Sequence, residues 1–216
     1  MHSKGKYFDG PSGAQDRRIL FLVEGADDAF FLDTLLSEAS ASASEVGIKF
    51  IQGKTGFALN IADLIKTREW VTGSVQRFAV ILDADESPID AEQAIGTALA
   101  ALSLPTPKHG EVLEFDVNRR VGLFVVPSSA ETGHLEKLLL STVNGSDLFT
   151  AATDFVANHD AARPENARLK RVMQAYLSCV PPSVRGGGRA FRLGEFDHGS
   201  SHLDGIRTFV KLMLAP

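Results

Sequence analysis

The sequence predicts an α/β protein with a mainly parallel sheet and helices on both faces. Short apolar runs, typical of strands buried on both faces, alternate four times with helical patterns between residue 19 and about residue 140. Such alternation predicts a parallel sheet, and right-handed crossovers restrict its topology to a doubly wound one. The chain has 216 residues, of which 44% are hydrophobic, which is enough for one sizeable core.

Each predicted strand is a short apolar segment bounded by turn residues or charges. The first is Ile19–Val23 and ends directly before Glu24 and Gly25. A weaker second strand is predicted over residues 48–52, and a third over residues 78–82 ends at Asp83. Residues 111–115 form a short predicted edge strand, and residues 121–126 form a further buried strand.

The predicted helices divide the chain into a sheet domain and a helical extension. Within the first part, helical spacing of apolar residues predicts helices over residues 27–38, 57–66 and 89–102, with Asp27 or Asp28 as an N-cap. Later helices are predicted at Glu165–Ser178 and over residues 203–214. We therefore expect a flexible leader over residues 1–16, a sheet domain over 17–145, and a C-terminal helical extension over 146–216 packed on it.

Composition points to a protein of the cytoplasm that does not hold nucleic acid by bulk charge. The net charge is −5, so any contact with nucleic acid must be local or bridged by cations. The single cysteine, Cys179, excludes an internal disulfide framework and fits a reducing compartment. We expect no signal peptide and no membrane partner, because the longest uncharged helical stretch, residues 94–104, is too short to cross a bilayer.

Acidic residues follow two of the predicted strands. Glu24 comes directly after the first, and Asp83 and Asp85 come at the end of the third, in "ILDADES". Because ligands bind at the carboxyl ends of strands in such sheets, we expect these groups to converge there. Residues two apart in an extended chain point the same way, so Asp83 and Asp85 would present two carboxylates together. Like charges held close need a cation between them, and carboxylate oxygens suit Mg²⁺ or Mn²⁺.

The segments "LVEGADD" and "ILDAD" resemble the Toprim domain of topoisomerases, bacterial primases and OLD-type nucleases. "VVPSSAETGHLEKLLL" and "RLGEFDHGSSHLDGIRTFVKLML" are similar to segments of short stand-alone Toprim-like proteins. The resemblance implies a Toprim-like fold in which Glu24, Asp83 and Asp85 hold Mg²⁺ or Mn²⁺ and Glu24 also acts as general acid or base. Glu136, on the first turn of a helix, is a further candidate for the site.

Two functional hypotheses follow from this resemblance. The first is a divalent-metal-dependent, nuclease-like enzyme that cleaves or transfers phosphodiesters in DNA or RNA. The second is a non-catalytic module that binds a metal, a nucleotide or nucleic acid and works with a partner protein; the acidic net charge favours it. The sequence leaves open DNA against RNA, one metal against two, and the oligomeric state.

Each candidate residue also has a structural explanation. Glu24 could cap the following helix or pair with a lysine, and Asp83 and Asp85 could be turn residues before Pro88. Glu136 could be an acid that favours a helix N-terminus. "GKTG" lacks the spacing of a nucleotide P-loop, so Lys54 is a candidate only for neutralising a substrate phosphate.

Two further segments are predicted to lie at the surface. The run "RGGGR" is interpreted as a mobile basic loop, although its arginines could touch a nucleic-acid backbone. His134 could reach a phosphate from a loop of the site, but a histidine in such a loop is more often a surface residue.

Overall fold

The computed structural model describes residues 5–8, 17–51, 56–128, 130–160, 162–180 and 186–216. Five strands form one sheet in the order β2–β1–β3–β5–β4. The first, second, third and fifth strands are parallel, and β4 pairs antiparallel with β5 at the edge. The strands are β1 (Ile19–Val23), β2 (Val46–Phe50), β3 (Arg77–Asp83), β4 (Val112–Asp116) and β5 (Arg119–Val126).

Helices connect the strands and continue after the last of them. Those between strands are α1 (Ala26–Glu38), α2 (Gly56–Lys66), α3 (Arg68–Val71) and α4 (Pro88–Ala101). Those after β5 are α5 (Leu135–Thr142), α6 (Asp147–Asp160), α7 (Glu165–Ser178), α8 (Gly187–Arg192) and α9 (Asp204–Leu214), with a short 3-10 turn at Ser201–Leu203. None of the helices in the described ranges is long and apolar enough to cross a membrane.

Alternation along the buried strands divides the core into two layers. On β1, Phe21 and Val23 pack with α1, α5 and α9 on one face of the sheet. Leu20 and Leu22 pack with α2, α3 and α4 on the other face. Because successive side chains of a strand point to opposite faces, an uninterrupted apolar run is what a strand covered on both sides requires. The predicted α/β class with helices on both faces is confirmed.

The order of the strands creates a crevice at one end of the sheet. The chain runs from β1 outward to β2 and then returns to the other side of β1 to form β3. In doubly wound sheets the crevice at such a reversal, beyond the carboxyl ends of the strands, is where ligands bind. Glu24 follows β1, and Asp83 is the last residue of β3, so the fold delivers both acids to this crevice.

The amino-terminal residues that the structure describes belong to the core. Tyr7 and Phe8 are buried, and the Tyr7 backbone N–H donates to Asp33 at 3.0 Å. The Tyr7 carbonyl oxygen in turn accepts from the Ile48 N–H at 2.9 Å. A flexible leader over residues 1–16 therefore stays a prediction only for the rest of that segment.

The glycines of "RGGGR" are packed, which corrects the interpretation of a mobile surface loop. Residues 181–185 lie outside the described part of the chain, but Gly187 and Gly188 are buried at the start of α8. A Cβ at Gly188 would collide with the carbonyl oxygen of Asp27 on α1, and one at Gly186 would collide with the Asp27 carboxylate. These glycines allow α8 to approach α1 closely, so the explanation for glycine at these positions is steric.

Candidate metal centre

Glu24 links the ends of two neighbouring strands. It follows β1, and its Oε1 accepts a hydrogen bond from the backbone N–H of Asp83 at 3.3 Å. The next residue, Gly25, is the N-cap of α1, and its N–H donates to Asp28 Oδ2 at 3.0 Å. The prediction that Asp27 or Asp28 is the N-cap is therefore wrong, because the N-cap is Gly25. The structure brings Glu24 beside Asp83, as the sequence predicted.

Asp83 lies where β3 meets the start of α5. Its Oδ1 accepts the backbone N–H of Leu135, the first residue of α5, at 3.0 Å. The unpaired N–H groups of a helix N-terminus favour a carboxylate at this point. The helix thus orients one carboxylate oxygen of Asp83. The side chain is still 21% exposed, so the carboxylate remains accessible.

Asp85 joins the cluster through a turn and not through extended backbone. It has a φ of +50°, in the left-handed region that aspartate tolerates better than most residues. Two backbone hydrogen bonds connect it with Gly133: its N–H donates at 2.8 Å and its carbonyl accepts at 2.7 Å. Asp83 and Asp85 do come together, but the expected reason, an extended D-A-D segment, is wrong.

His134, expected from the sequence to be a surface residue, completes the cluster. It is buried, with 6% of its area exposed. Its Nδ1 lies 2.8 Å from Asp85 Oδ1 and 3.9 Å from Asp83 Oδ2. One ligand atom from each of the three residues lies within 4.8 Å of the others, so the group can bind a metal ion.

Two carboxyl groups of the crevice, those of Asp28 and Asp83, have raised pKa values. Burial first, and then the Glu24 carboxylate, raise the pKa of Asp28 to about 7. Burial, followed by the charges of Asp28 and Glu24, raises the pKa of Asp83 well above its usual range. The pKa shifts oppose the charged form, so a cation that binds here would relieve the repulsion and displace protons.

Glu136 lies beside this cluster, on the first turn of α5 as predicted. It helps to line a small cavity of about 100 Å³ together with Asp27, Asp28 and Asp83. Desolvation, and then the Glu136 charge, raise the pKa of Asp27, while the backbone N–H groups of Arg189 and Gly187 lower it by donating to its carboxylate. Glu136 is therefore an acidic neighbour of the candidate centre. Lys54, the candidate for neutralising a substrate phosphate, belongs to residues 52–55, which lie outside the described part of the chain.

The chain was compared with solved structures, curated protein sequences and family models. The C-terminal region of the Xanthomonas campestris pv. campestris OLD protein, phased with iodine, is 12% identical with a TM-score of 0.49, covering 92% of this chain and 96% of that one. The same region phased with mercury is 14% identical with a TM-score of 0.42, covering 91% and 97%. No significant match to a curated protein sequence is found. A family model described as "Protein of unknown function (DUF3226)" matches residues 18–214, and the chain therefore belongs to that family.

Proposed function

We propose that this chain is a Toprim-type, divalent-metal-dependent enzyme that cleaves or transfers phosphodiesters in nucleic acid. The observation that carries the proposal is the convergence of Asp83, Asp85 and His134 within 4.8 Å at a crevice between parallel strands, with Glu24 hydrogen-bonded to the same strand end. The motifs "LVEGADD" and "ILDAD", which resemble the Toprim pattern, place Glu24 after β1 and Asp83 at the end of β3.

The residues present fit a divalent cation. Asp83 and Asp85 would offer hard carboxylate oxygens, which suit Mg²⁺ and Mn²⁺, and His134 would add a nitrogen or hold Asp85 in place. When bound, the metal would stabilise charge on a phosphate group and make a bound water more acidic. We propose Glu24 as the group that transfers a proton during phosphodiester chemistry, with Asp28 beside it titrating near neutral pH.

The proposal is tested by measuring metal binding and cleavage separately. Purified wild type, Asp83→Asn and a control, Asp154→Asn, would be incubated with single- and double-stranded DNA and with RNA, in Mg²⁺, Mn²⁺ or chelator. Asp154 is an exposed residue of α6 and makes a matched surface control. The asparagine at position 83 keeps an oxygen for the Leu135 N–H but removes the charge. We expect wild type and Asp154→Asn to cleave in the presence of metal, and Asp83→Asn to lose both cleavage and most Mn²⁺ binding.

The outcomes separate the metal-dependent enzyme from the non-catalytic binding module. Binding of Mn²⁺ that depends on Asp83, without cleavage of any substrate, would reject the enzyme and favour the metal-binding module that works with a partner protein. Equal Mn²⁺ binding by wild type and Asp83→Asn would refute the proposed metal centre. Cleavage that persists in Asp83→Asn at the wild-type rate would point to a contaminating nuclease.

A further inference from the structure

A cavity of about 610 Å³ lies between α4 and α7, directly beside the candidate metal centre. Asp85 and His134 belong to its wall, so the cavity and the metal centre share two residues. Ala94 of α4 and Lys170 of α7 also line it and are exposed, so a ligand can enter from solvent. Its volume is in the range of about 300–1,000 Å³ that is typical of small-molecule sites.

One wall of the cavity is apolar and made of small side chains. Ala84, Ala91 and Ala94 line the cavity together with the larger Leu82 and Ile95. Alanines leave room that longer side chains would fill, and together they offer an apolar surface to a flat ring. A ligand that buries a ring on this wall gains the hydrophobic contribution of the area that it covers.

The polar residues of the cavity restrict what the rest of the ligand can be. Asn166 supplies an amide that both donates and accepts hydrogen bonds, and Lys170 supplies a cation. Three carboxylates, those of Asp85, Glu86 and Asp90, also line the cavity. An anion alone would be repelled by these carboxylates, so a favourable ligand carries an uncharged body and places its anionic group at the metal or at Lys170.

We propose that this cavity binds the base and sugar of one nucleotide whose phosphate lies at the Asp83–Asp85–His134 cluster. This inference rests on the proposed function, since it names the part of the nucleic-acid substrate that occupies the space beside the metal. The base packs on the alanine wall, its edge faces Asn166, and the adjoining phosphate lies towards the metal. Lys170 neutralises a neighbouring phosphate. The site thus holds a nucleotide with an unpaired base, as at a single-stranded region or a chain end.

The test fills the cavity from its exposed side. Ala94→Phe places a ring in the space that the base would occupy, and Ala100→Phe is the matched control, since Ala100 is an exposed residue of the same helix outside the cavity wall. Both variants are compared with wild type by thermal melting, to show that they fold alike. Binding of AMP, GMP, CMP and UMP is then measured by calorimetry in the presence of Mn²⁺, with ribose 5-phosphate as the probe that lacks a base.

We expect Ala94→Phe to weaken nucleotide binding about tenfold or more, because the added ring occupies the space in which the base would bury its apolar surface. Mn²⁺ binding and the weaker binding of ribose 5-phosphate should be unchanged, and Ala100→Phe should behave as wild type. Lys170→Gln should leave mononucleotide binding unchanged but weaken the binding of a dinucleotide with a 5′-phosphate, which carries the neighbouring phosphate. Arg171→Gln, at an exposed neighbour outside the cavity wall, should weaken neither.

The result also distinguishes this inference from the proposed function. If wild type binds no mononucleotide, binds ribose 5-phosphate as tightly, or is unaffected by Ala94→Phe, the nucleotide pocket is refuted even where metal-dependent cleavage is observed. If Ala94→Phe abolishes nucleotide binding but no phosphodiester is cleaved, the pocket stands and the enzymatic proposal falls.

Discussion

Replacing Asp28 with asparagine tests the electrostatics of the crevice without disturbing its shape. Asp28 is partly buried beside Glu24, and its Oδ2 accepts the Gly25 N–H at 3.0 Å. Asparagine is nearly isosteric and keeps an oxygen that can accept this hydrogen bond. The substitution therefore removes mainly the negative charge. Since burial and the Glu24 charge raise the pKa of Asp28, we expect Asp28→Asn to stabilise the protein when no metal is added.

The size and pH dependence of the gain follow from the pKa. The pKa of Asp28 rises from 3.8 to about 7 on folding. A pKa shift of roughly three units corresponds to roughly 4 kcal/mol of free energy of unfolding. Below about pH 4 both states are protonated and the group contributes nothing. Between about pH 4 and 7 the unfolded chain has lost the proton that the folded chain keeps, so the free energy of unfolding falls as pH rises. Above about pH 7 the full penalty is present.

The advantage of Asp28→Asn should therefore grow from near zero at about pH 4 to at most about 4 kcal/mol above pH 7. Residual solvent contact of Asp28 makes this figure an upper limit. The measurement is urea unfolding in chelator at pH 5 and pH 8, with Asp154→Asn as the surface control. An equal gain at both pH values, or none at pH 8, would refute the reasoning, since a gain from packing alone does not depend on protonation.

Three further substitutions test other parts of the structure. His134→Ala should weaken Mn²⁺ binding by about 10- to 100-fold, measured by electron paramagnetic resonance titration, because the imidazole either binds the metal or holds Asp85; unchanged affinity would exclude both roles. Gly188→Ala should destabilise the protein by about 1–3 kcal/mol in urea, since its Cβ would collide with the Asp27 backbone. Gly205→Ala is its control, with the nearest atom 3.7 Å away on Phe124, and an equal loss would contradict the steric explanation. Phe8→Ala should cost about 3–5 kcal/mol in urea unfolding, because its buried ring is part of the core, and a loss below about 1 kcal/mol would contradict this.

The parts of the fold that the sequence predicted are those fixed by local pattern. The run Ile19–Val23 is apolar at every position and forms β1 with the predicted bounds. Helix α7 also has its predicted bounds, because Pro164 precedes it and its apolar residues fall on one face. The acids Glu24 and Asp83 were predicted to meet because each comes directly after a buried strand, and parallel strands end at the same edge of a sheet.

The parts that the sequence did not predict depend on contacts between distant segments. His134 joins the site because its neighbour Gly133 pairs with Asp85. In the sequence around His134, only this glycine and the helix that follows indicate the pairing. The glycines of α8 suggested mobility, whereas here they permit close packing on α1. A glycine can permit either a mobile backbone or the close approach of another segment, and the sequence alone does not show which segment it approaches.

The crevice holds its acids by backbone donors that do not fully compensate their charge. The N–H of Gly25 donates to Asp28, that of Asp83 to Glu24, and that of Leu135 to Asp83. These donors orient the carboxylates, yet the pKa values of Asp28 and Asp83 remain raised. A divalent cation would supply the further positive charge and would compete with the protons that these acids retain. Metal affinity should consequently increase as pH rises through about 7, the pKa of Asp28, and the same crowding that weakens the metal-free fold would strengthen metal binding.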